Sequence, residues 1–469
     1  MDPWKGMVLA MTAAYDDNSI LEVKLGLDSL CIYRNLLSDP VIRRFYSLLE
    51  HVSGSFSDSS LKITDFLSLY TEFYRRLVAY GNSTDFFSYI IEKLVYDENP
   101  FTAQPGIAVQ PAFPLPEAVI KHDLEALQKA AALPPAEIKA AYAKNTKAEG
   151  LYAEAIDRLP CWNESRTKTG ECSAACLEAG NAAACALAAA ADWSKCLEDL
   201  KKFHRIFGCG DFARFSAFVW RRSDGAGRLV PVETPDPVRL SDLVDYEMER
   251  SEVVKNTEQF LDGYPANNVL LYGDRGTGKS STVKAILNEY SSRGLRVIEV
   301  PKNLLVDFPE IVSGLSGKNH KFILFVDDLA FEDNEENYTA LKAVLEGSLS
   351  VKPRNVLIYA TSNRRHLIKE KFSDRAGLQY GDRDDEVRAY DTMQEKLSLS
   401  DRFGITVVFS APDKARYLHI IEELAERNGI IVDRDELHRE ALKWELWYNG
   451  RSPRTAQQFV TWLKGAKAK

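Results

Sequence analysis

The chain has 469 residues, of which 45% are hydrophobic and 27% charged, and its formal net charge is −9 at pH 7. This length allows two or three domains with separate cores, and the composition is that of an ordinary globular protein. The acidic charge disfavours general nucleic-acid binding and leaves a local basic patch as an alternative. The N-terminus has neither a basic segment nor a long apolar run, so we expect no signal peptide, no membrane span and a cytoplasmic protein.

Residues 1–213 are expected to form a mainly helical domain. Apolar residues recur there at helical spacing in three segments, and their many tyrosine and phenylalanine side chains are expected in a core. The three segments are 36–52, 63–81 and 85–96. A proline-rich stretch at 99–116 predicts a loop, and an alanine-rich stretch at 117–207 predicts further helices.

Six of the seven cysteines fall between positions 161 and 209. In a cytoplasmic protein these are expected to be free thiols. Cys172 and Cys176 would share one face of a helix, but no histidine and no C-x-x-C motif accompanies them. A small core residue is therefore the favoured interpretation, and metal binding the alternative.

The second half of the chain changes character. Residues 214–237 predict a β-hairpin followed by a proline-bearing linker. From 238 onward, apolar strands alternate with helices, which indicates an α/β fold with a five-stranded parallel sheet covered on both faces. We expect this subdomain over 238–410. Three helical runs without strands then predict a small helical lid over 411–469.

A glycine-rich segment between the first of these strands and the following helix reads G-x-x-x-x-G-K-S. This is the pattern of a phosphate-binding loop, whose backbone N–H groups and helix N-terminus bind phosphate. Lys279 would reach the β- and γ-phosphates, and Ser280 the magnesium ion. A glycine turn with a solvent-exposed lysine is the alternative, and the strand and helix around the loop disfavour it. The predicted nucleotide-binding residues are Gly273, Asp274, Arg275, Gly276, Thr277, Gly278, Lys279, Ser280 and Ser281.

Two adjacent aspartates, Asp327 and Asp328, end another apolar strand. Because two neighbouring carboxylates repel each other, a cation is expected beside them, and magnesium bound to the nucleotide would supply it. We predict that Asp327 binds the metal and that Asp328 orients or deprotonates the attacking water. The alternative is a pair of aspartates that starts a turn.

Three further polar residues complete the predicted site. Asn363 ends a third apolar strand and is expected beside the γ-phosphate, with Thr361 as a second candidate there. Arg402 is expected to bind the γ-phosphate of a neighbouring subunit, and a surface ion pair is the alternative. From the lid, Arg454 is expected to fold over the phosphates, with Arg451 as the competing candidate.

With these elements in this order, the chain resembles the AAA+ ATPases over residues 238–469. The strings "GYPANNVLLYGDRGTGKSS", "LFVDDLAFE", "IYATSNRRHL" and "EKLSLSDRFG" are similar to an uncharacterised bacterial AAA+ family, domain of unknown function 815. The resemblance implies the roles of Walker A for the glycine loop, Walker B for the aspartates, sensor 1 for Asn363, arginine finger for Arg402 and sensor 2 for Arg454. It also implies that Leu243, Val244 and Tyr246 pack around the adenine.

The resemblance further implies ATP and Mg²⁺ as cofactors and a ring or arc of identical subunits when ATP is bound. The expected function is an ATPase that remodels a macromolecular partner, engaged through 1–213 or the charged stretch 364–401. The alternative interpretation of residues 364–401 is a solvated loop. Most AAA+ proteins have glutamate at the position of Asp328, so a non-hydrolysing ATP-dependent switch is the alternative. A nucleic-acid handler similar to a helicase loader is a second alternative, disfavoured by the charge. Other phosphate-loop proteins, such as small-molecule kinases, would lack the lid.

Overall fold

The computed structural model describes residues 18–54, 60–81, 84–103, 115–163, 182–223, 225–329, 335–346, 353–363, 402–448 and 450–467. The chain divides into two compact units, Met1–Arg214 and Phe215–Lys469.

In the described residues of the first unit, helices are the only regular secondary structure. Its α-helices are α1 (Asn18–Asp28), α2 (Pro40–Ser53), α3 (Ser60–Gly81), α4 (Phe86–Tyr96), α5 (Glu117–Ala132), α6 (Pro135–Thr146), α7 (Leu151–Asp157), α8 (Ala182–Ala189), α9 (Leu197–Phe207) and α10 (Gly210–Arg214). Short 3₁₀ helices cover Tyr33–Ser38 and Trp193–Cys196. The mainly helical N-terminal region expected from the sequence is confirmed.

Aromatic side chains make up much of the core of this unit. The rings of Phe45 and Phe86 have centroids 4.6 Å apart, and those of Phe73 and Trp162 are 4.9 Å apart. All four residues are at most 1% exposed. These aromatic residues therefore belong to the hydrophobic core of the unit.

The described cysteines are free thiols at Cys31, Cys161, Cys185, Cys196 and Cys209. Cys172 and Cys176, the pair weighed above as metal ligands, lie outside the described residues. Within the described ranges, no group of three or more histidine, cysteine, aspartate or glutamate side chains could hold a metal ion.

The second unit is built around one sheet of seven strands. The strands are β1 (Ala217–Ser223), β2 (Ala226–Pro231), β3 (Val269–Gly273), β4 (Leu295–Glu299), β5 (Lys321–Val326), β6 (Val356–Ser362) and β7 (Ile405–Phe409). Their order across the sheet is β2-β1-β4-β5-β6-β3-β7. Strands β3 to β7 run parallel. This is the arrangement that the apolar strands alternating with helices in the sequence predict.

The hairpin β1–β2, expected in a connecting segment, instead extends this sheet. Strand β1 pairs in parallel with β4, with Phe218 opposite Ile298. Two side chains of β1 bind the buried Asp307: the Trp220 Nε1 donates to Oδ2 at 2.8 Å, and the Arg222 Nη1 lies 3.1 Å from Oδ1. Asp307 lies 87 positions beyond Trp220 in the sequence, so the local sequence of the hairpin does not predict these contacts.

Helices surround the sheet and form the lid. They are α11 (Glu247–Leu261), α12 (Lys279–Tyr290), α13 (Phe308–Leu315), α14 (Glu335–Glu346), α15 (Lys414–Arg427), α16 (Arg434–Trp447) and α17 (Pro453–Lys467). Short 3₁₀ helices cover Leu240–Asp242, Ser291–Arg293 and Lys302–Asp307. Helices α15 to α17 have a small core of their own around Tyr417, Ile420 and Phe459. The fold expected from the sequence, an α/β core with parallel strands followed by a helical lid, is confirmed.

The order of the strands determines where the site lies. Strand β3 lies between β6 and β7, and β5 is next to β6. Since these strands are parallel, the segments that follow their carboxyl ends meet at one edge of the sheet.

None of the helices in the described part of the chain is apolar over a length that could cross a bilayer.

Candidate functional site

A cavity of about 780 Å³ opens at this edge of the sheet. Its volume is within the range of small-molecule and cofactor sites. Its wall is formed by Val238, Asp242, Leu243, Val244, Arg250, residues 275–281, Asp327, Asp328, Thr361, Asn363, Ile420, Leu424, Pro453, Arg454, Gln457 and Gln458. The core and the lid therefore both contribute to it.

The glycine-rich loop has positive φ angles, a backbone conformation that is unfavourable for residues other than glycine. Gly273, Gly276 and Gly278 have φ angles of 134°, 76° and 95°. A Cβ added at Gly273 would lie 2.1 Å from the carbonyl oxygen of Phe409, so close packing against β7 requires glycine there. Residues 275–281 form part of the cavity wall, whereas Gly273 and Asp274 are not among its residues.

Lys279 is the first residue of helix α12 and is 6% exposed. Its Nζ donates to the carbonyl oxygens of Gly273 at 3.0 Å and Asp274 at 2.6 Å. Burial lowers the pKa of Lys279, and the carboxylates of Asp274, Asp328 and Asp327 partly oppose that shift. A cation is thus held over the loop, where an anionic ligand would stabilise its charged form.

Asp327 connects the loop to the strand ends. Its Oδ1 accepts hydrogen bonds from the Ser280 Oγ at 2.5 Å and from the Thr361 Oγ1 at 2.6 Å. A carboxylate beside a hydroxyl is an oxygen-rich set that suits a hard divalent cation. Thr361, weighed above beside the γ-phosphate, lines the cavity and directly contacts the predicted metal ligand.

Asp328 and Asn363 form the other polar pair at the strand ends. The Asn363 Nδ2 donates to the Asp328 Oδ1 at 2.7 Å, and the Asp328 backbone N donates to the Thr361 Oγ1 at 3.0 Å. Asp328 has a φ of 50°, a left-handed conformation that aspartate tolerates better than most residues. The carboxylate of Asp328 is therefore fixed in direction by both its backbone and its partner.

The lid reaches the loop through the start of helix α17. The backbone N of Arg454 donates to the carbonyl oxygen of Gly276 at 3.1 Å, and Arg454 lines the cavity. Arg451 is not among the lining residues, and its Nε pairs with Glu445 at 2.8 Å. Of the two arginines weighed above, Arg454 is the one that lies at the cavity.

Two other predicted residues lie off the cavity wall. Arg402 is half-buried just before β7 and is not part of the wall. Asp401, its partner in the alternative of a surface ion pair, lies outside the described residues. Tyr246 is 1% exposed and also lies off the wall. Its ring packs on Phe409 with centroids 5.5 Å apart. By contrast, the other two members of that segment, Leu243 and Val244, line the cavity.

Several residues of the wall were not predicted from the sequence. They are Val238, Asp242, Arg250, Ile420, Leu424, Pro453, Gln457 and Gln458. Gln457 and Gln458 follow Arg454 by three and four positions on one helix, and that spacing is a signal that could have found them. The others reach the cavity through tertiary packing, for which no local motif exists.

Comparison with known proteins gives a matching family and a set of similar solved structures. Residues 213–467 match the family described as "Protein of unknown function (DUF815)". No match is found among curated proteins. Solved structures of RuvB from Thermotoga maritima, titled a Holliday junction branch migration motor, are similar at 16% identity and a TM-score of 0.33. The match covers 48% of this chain and 63% of that one.

Two mutant forms of the same RuvB give comparable values. One has 15% identity with a TM-score of 0.33 and the other 16% with 0.32, and they cover 48% and 49% of this chain. The share covered of those RuvB chains is 64% and 65%, so this chain spans less than two thirds of their length. These values are too low to carry a function or a partner over to this chain.

Proposed function

The chain belongs to the family described as "Protein of unknown function (DUF815)", and we propose that it binds ATP with Mg²⁺ in this cavity and hydrolyses it. One observation carries the proposal. Lys279, the Ser280–Asp327 pair and the Asp328–Asn363 pair all line a single cavity at the carboxyl ends of parallel strands. This arrangement provides the cation, the metal ligands and the base that phosphoanhydride hydrolysis requires.

The residues of the wall fit the proposed ligands. The left-handed glycines bring the backbone close to a phosphate, and helix α12 directs its free N–H groups to the same place. The Ser280 hydroxyl and the Asp327 carboxylate are hard oxygen donors of the kind that Mg²⁺ prefers. When bound, Mg²⁺ neutralises phosphate charge. Leu243, Val244 and Ile420 supply an apolar surface for the base.

We assign the chemistry to two residues. Asp328 would accept the proton of the attacking water or orient that water. Asn363 holds one carboxylate oxygen of Asp328 at 2.7 Å, which leaves the other oxygen for the water. The cations Lys279 and Arg454 would stabilise the charge that develops on the γ-phosphate.

We further propose that the ATP cycle changes the position of the lid and thereby acts on a macromolecular partner. The hydrogen bond between the Arg454 backbone N and the Gly276 carbonyl oxygen supports this, because it joins the lid directly to the loop that we propose for the phosphates. Residues 1–213 and 364–401 are the segments we propose for contact with the partner. Arg402, which lies off the wall of its own cavity, is proposed to complete the site of a neighbouring identical subunit.

A non-hydrolysing switch is the second candidate. The observation that favours it concerns Asp328. Its side chain is shorter than the glutamate of most AAA+ proteins, and its Oδ1 already accepts a hydrogen bond from Asn363. In that case ATP would hold the lid in one position without turnover.

Phosphate release from ATP by the purified chain separates the two candidates. An ATPase gives Mg²⁺-dependent release that is lost in Asp328→Asn, while this variant still binds ATP. Asparagine is the matched replacement because it tolerates a positive φ and removes only the charge. Release no higher than background at every protein concentration, together with intact ATP binding, would establish the switch instead.

A further inference from the structure

One part of the cavity wall has a backbone that requires external support. The segment Ser241–Tyr246 contributes Asp242, Leu243 and Val244 to the wall. It ends in two consecutive left-handed residues, Asp245 and Tyr246, each with a φ of 64°. Non-glycine residues adopt this conformation only at a cost in free energy. The shape of the segment must therefore be maintained by contacts with its surroundings.

Three arginines make those contacts. From helix α11, the Arg250 Nη2 donates to the carbonyl oxygen of Leu243 at 3.1 Å. From the lid helix α15, the Arg427 Nη1 donates to the carbonyl oxygen of Ser241 at 2.6 Å. The core thus holds the middle of the segment, and the lid holds its beginning.

The third arginine, Arg416, binds the strained end of the segment. Its Nε pairs with the Asp245 carboxylate, and its guanidinium lies 4.0 Å from the centroid of the Tyr246 ring. Burial alone would raise the pKa of Asp245, but the hydrogen bonds from Arg416 and from the Tyr246 N–H lower it overall. Asp245 is therefore a carboxylate at neutral pH. Because Arg416 also belongs to α15, two of the three arginines come from the lid.

Tyr246 connects this segment to the phosphate loop. Its hydroxyl donates to the carbonyl oxygen of Ser410 at 2.6 Å, and its ring packs on Phe409. The carbonyl oxygen of Phe409 accepts from the backbone N of Asp274 at 2.9 Å, at the start of the loop. The base end and the phosphate end of the cavity are thus joined through the end of strand β7.

We propose that Arg250, Arg416 and Arg427 are positioning residues for the nucleobase. They hold Ser241–Tyr246 in the shape that receives the base, and two of them do so only while the lid is docked. The base therefore adds to affinity in proportion to lid docking, whereas the phosphates bind to the loop independently of the two lid arginines, which do not line the cavity. This inference rests on the proposed function, because it assumes that the ligand is a nucleotide.

The test compares a ligand that has a base with one that does not. Calorimetry measures the affinity of the full chain for Mg²⁺-ATP and for Mg²⁺-tripolyphosphate. In Arg427→Ala the affinity for ATP is expected to fall about tenfold, the effect of one lost hydrogen bond from a charged group. The affinity for tripolyphosphate is expected to stay within about twofold. Arg416→Ala is expected to behave in the same way, and Arg250→Ala, whose side chain also lines the cavity, is expected to weaken ATP binding more than tripolyphosphate binding.

The variants are chosen so that misfolding can be recognised. The side chain of Arg427 is 37% exposed, so its replacement leaves the core intact. Arg434→Ala is the matched control, since Arg434 is a lid arginine whose ion pair is with Glu422, another residue of the lid. This control is expected to bind both ligands as the unmodified chain does. Arg250→Lys is expected to recover part of the ATP affinity, because an ammonium can still donate to the Leu243 carbonyl.

Three results would overturn the inference. Unchanged ATP affinity in all three alanine variants would show that the arginines do not serve the base. An equal loss for ATP and tripolyphosphate would show a general loss of the site. A loss in Arg434→Ala as large as in Arg427→Ala would show that any lid charge has this effect. If the unmodified chain binds neither ligand, the proposed function itself fails, and that outcome is distinct from the other three.

Discussion

Ser280 and Asp327 meet at 2.5 Å although they are 47 positions apart in the sequence. Ser280 lies in the first turn of α12, and Asp327 follows strand β5. The hydroxyl donates to a carboxylate oxygen that also accepts from Thr361. Three oxygen-bearing side chains from three elements thus converge on one point, the one we propose for Mg²⁺.

Replacement of Asp327 tests that metal site. In Asp327→Asn the amide oxygen can still accept from a hydroxyl, so the fold is retained while the negative charge is removed. We expect Mg²⁺ to strengthen ATP binding about tenfold less in this variant than in the unmodified chain, the effect of one lost charged contact. Calorimetric titration with ATP, once with Mg²⁺ and once with EDTA, measures the difference. An equal effect of Mg²⁺ on both proteins would mean that Asp327 is not a metal ligand.

The three loop glycines are expected to differ in their tolerance of alanine. Gly273→Ala should destabilise most, because the new Cβ would meet the Phe409 backbone at 2.1 Å. Gly276→Ala should come second, with contacts of 2.9 Å to the Ser452 Oγ and 3.1 Å to the Arg454 Cβ. Gly278→Ala meets no atom within 4 Å, so it should cost only the left-handed strain, about 1–2 kcal/mol.

Urea unfolding of the three variants gives the free energies that decide this order. Gly276→Ala has a further consequence, since its contacts lie on the lid and ATP affinity should fall as well. Equal free energies of unfolding for Gly273→Ala and Gly278→Ala would contradict the close packing of the loop on β7.

The pH dependence of ATP binding should report the state of Lys279. Burial lowers the pKa of Lys279 from its ordinary value of 10.5 in the ligand-free protein. Bound phosphates favour the charged lysine, so ATP affinity is complete below that lowered pKa and falls as the pH rises through it. The decline should therefore begin at a pH below 10.5, measured as the dissociation constant across alkaline pH.

Lys279→Arg is the control for this pH dependence. Arginine keeps its charge over the whole range, so the variant should bind ATP more weakly but without the alkaline decline. A decline of the same size in both proteins would show that another group is responsible.

Mixing two inactive variants tests the proposed role of Arg402 in a neighbouring subunit. Arg402→Ala keeps an intact phosphate loop, and Lys279→Ala keeps an intact Arg402, so some sites in a mixed assembly are complete. We expect phosphate release to reappear on mixing and to rise faster than linearly with protein concentration. If the mixture stays inactive although both variants fold and associate, Arg402 has a local structural role.

The sequence predicts those parts of the site that belong to local motifs, and not those that depend on tertiary contacts. The glycine loop and the aspartate pair are local patterns, and the structure brings Lys279, Ser280, Asp327 and Asp328 together as those patterns imply. Arg250 reaches the cavity only because the preceding segment folds back onto α11, which no short motif records. Hydrogen bonds from α15 to that segment are likewise tertiary.

The hairpin and Tyr246 illustrate the same limit. The sequence predicts the turn of the hairpin, but neither its pairing with β4 nor the hydrogen bond from Trp220 to Asp307, which lies 87 positions away. The resemblance predicts that Tyr246 packs around adenine; in the structure its ring packs on Phe409, and Tyr246 is not among the residues of the cavity wall. A side chain's direction depends on its backbone conformation, and here that is a left-handed φ at a residue other than glycine.

Calorimetric titration of the full chain with Mg²⁺-ATP tests the central claim most directly. The unmodified chain is expected to bind one ATP, and Lys279→Ala to lose at least about a hundredfold in affinity, the effect of two charged hydrogen bonds. The matched control is Lys284→Ala, an exposed lysine of the same helix that pairs with Asp236 at 3.2 Å, and it should bind ATP normally. Absence of binding by the unmodified chain, or equal affinity in Lys279→Ala, would contradict ATP binding at this site.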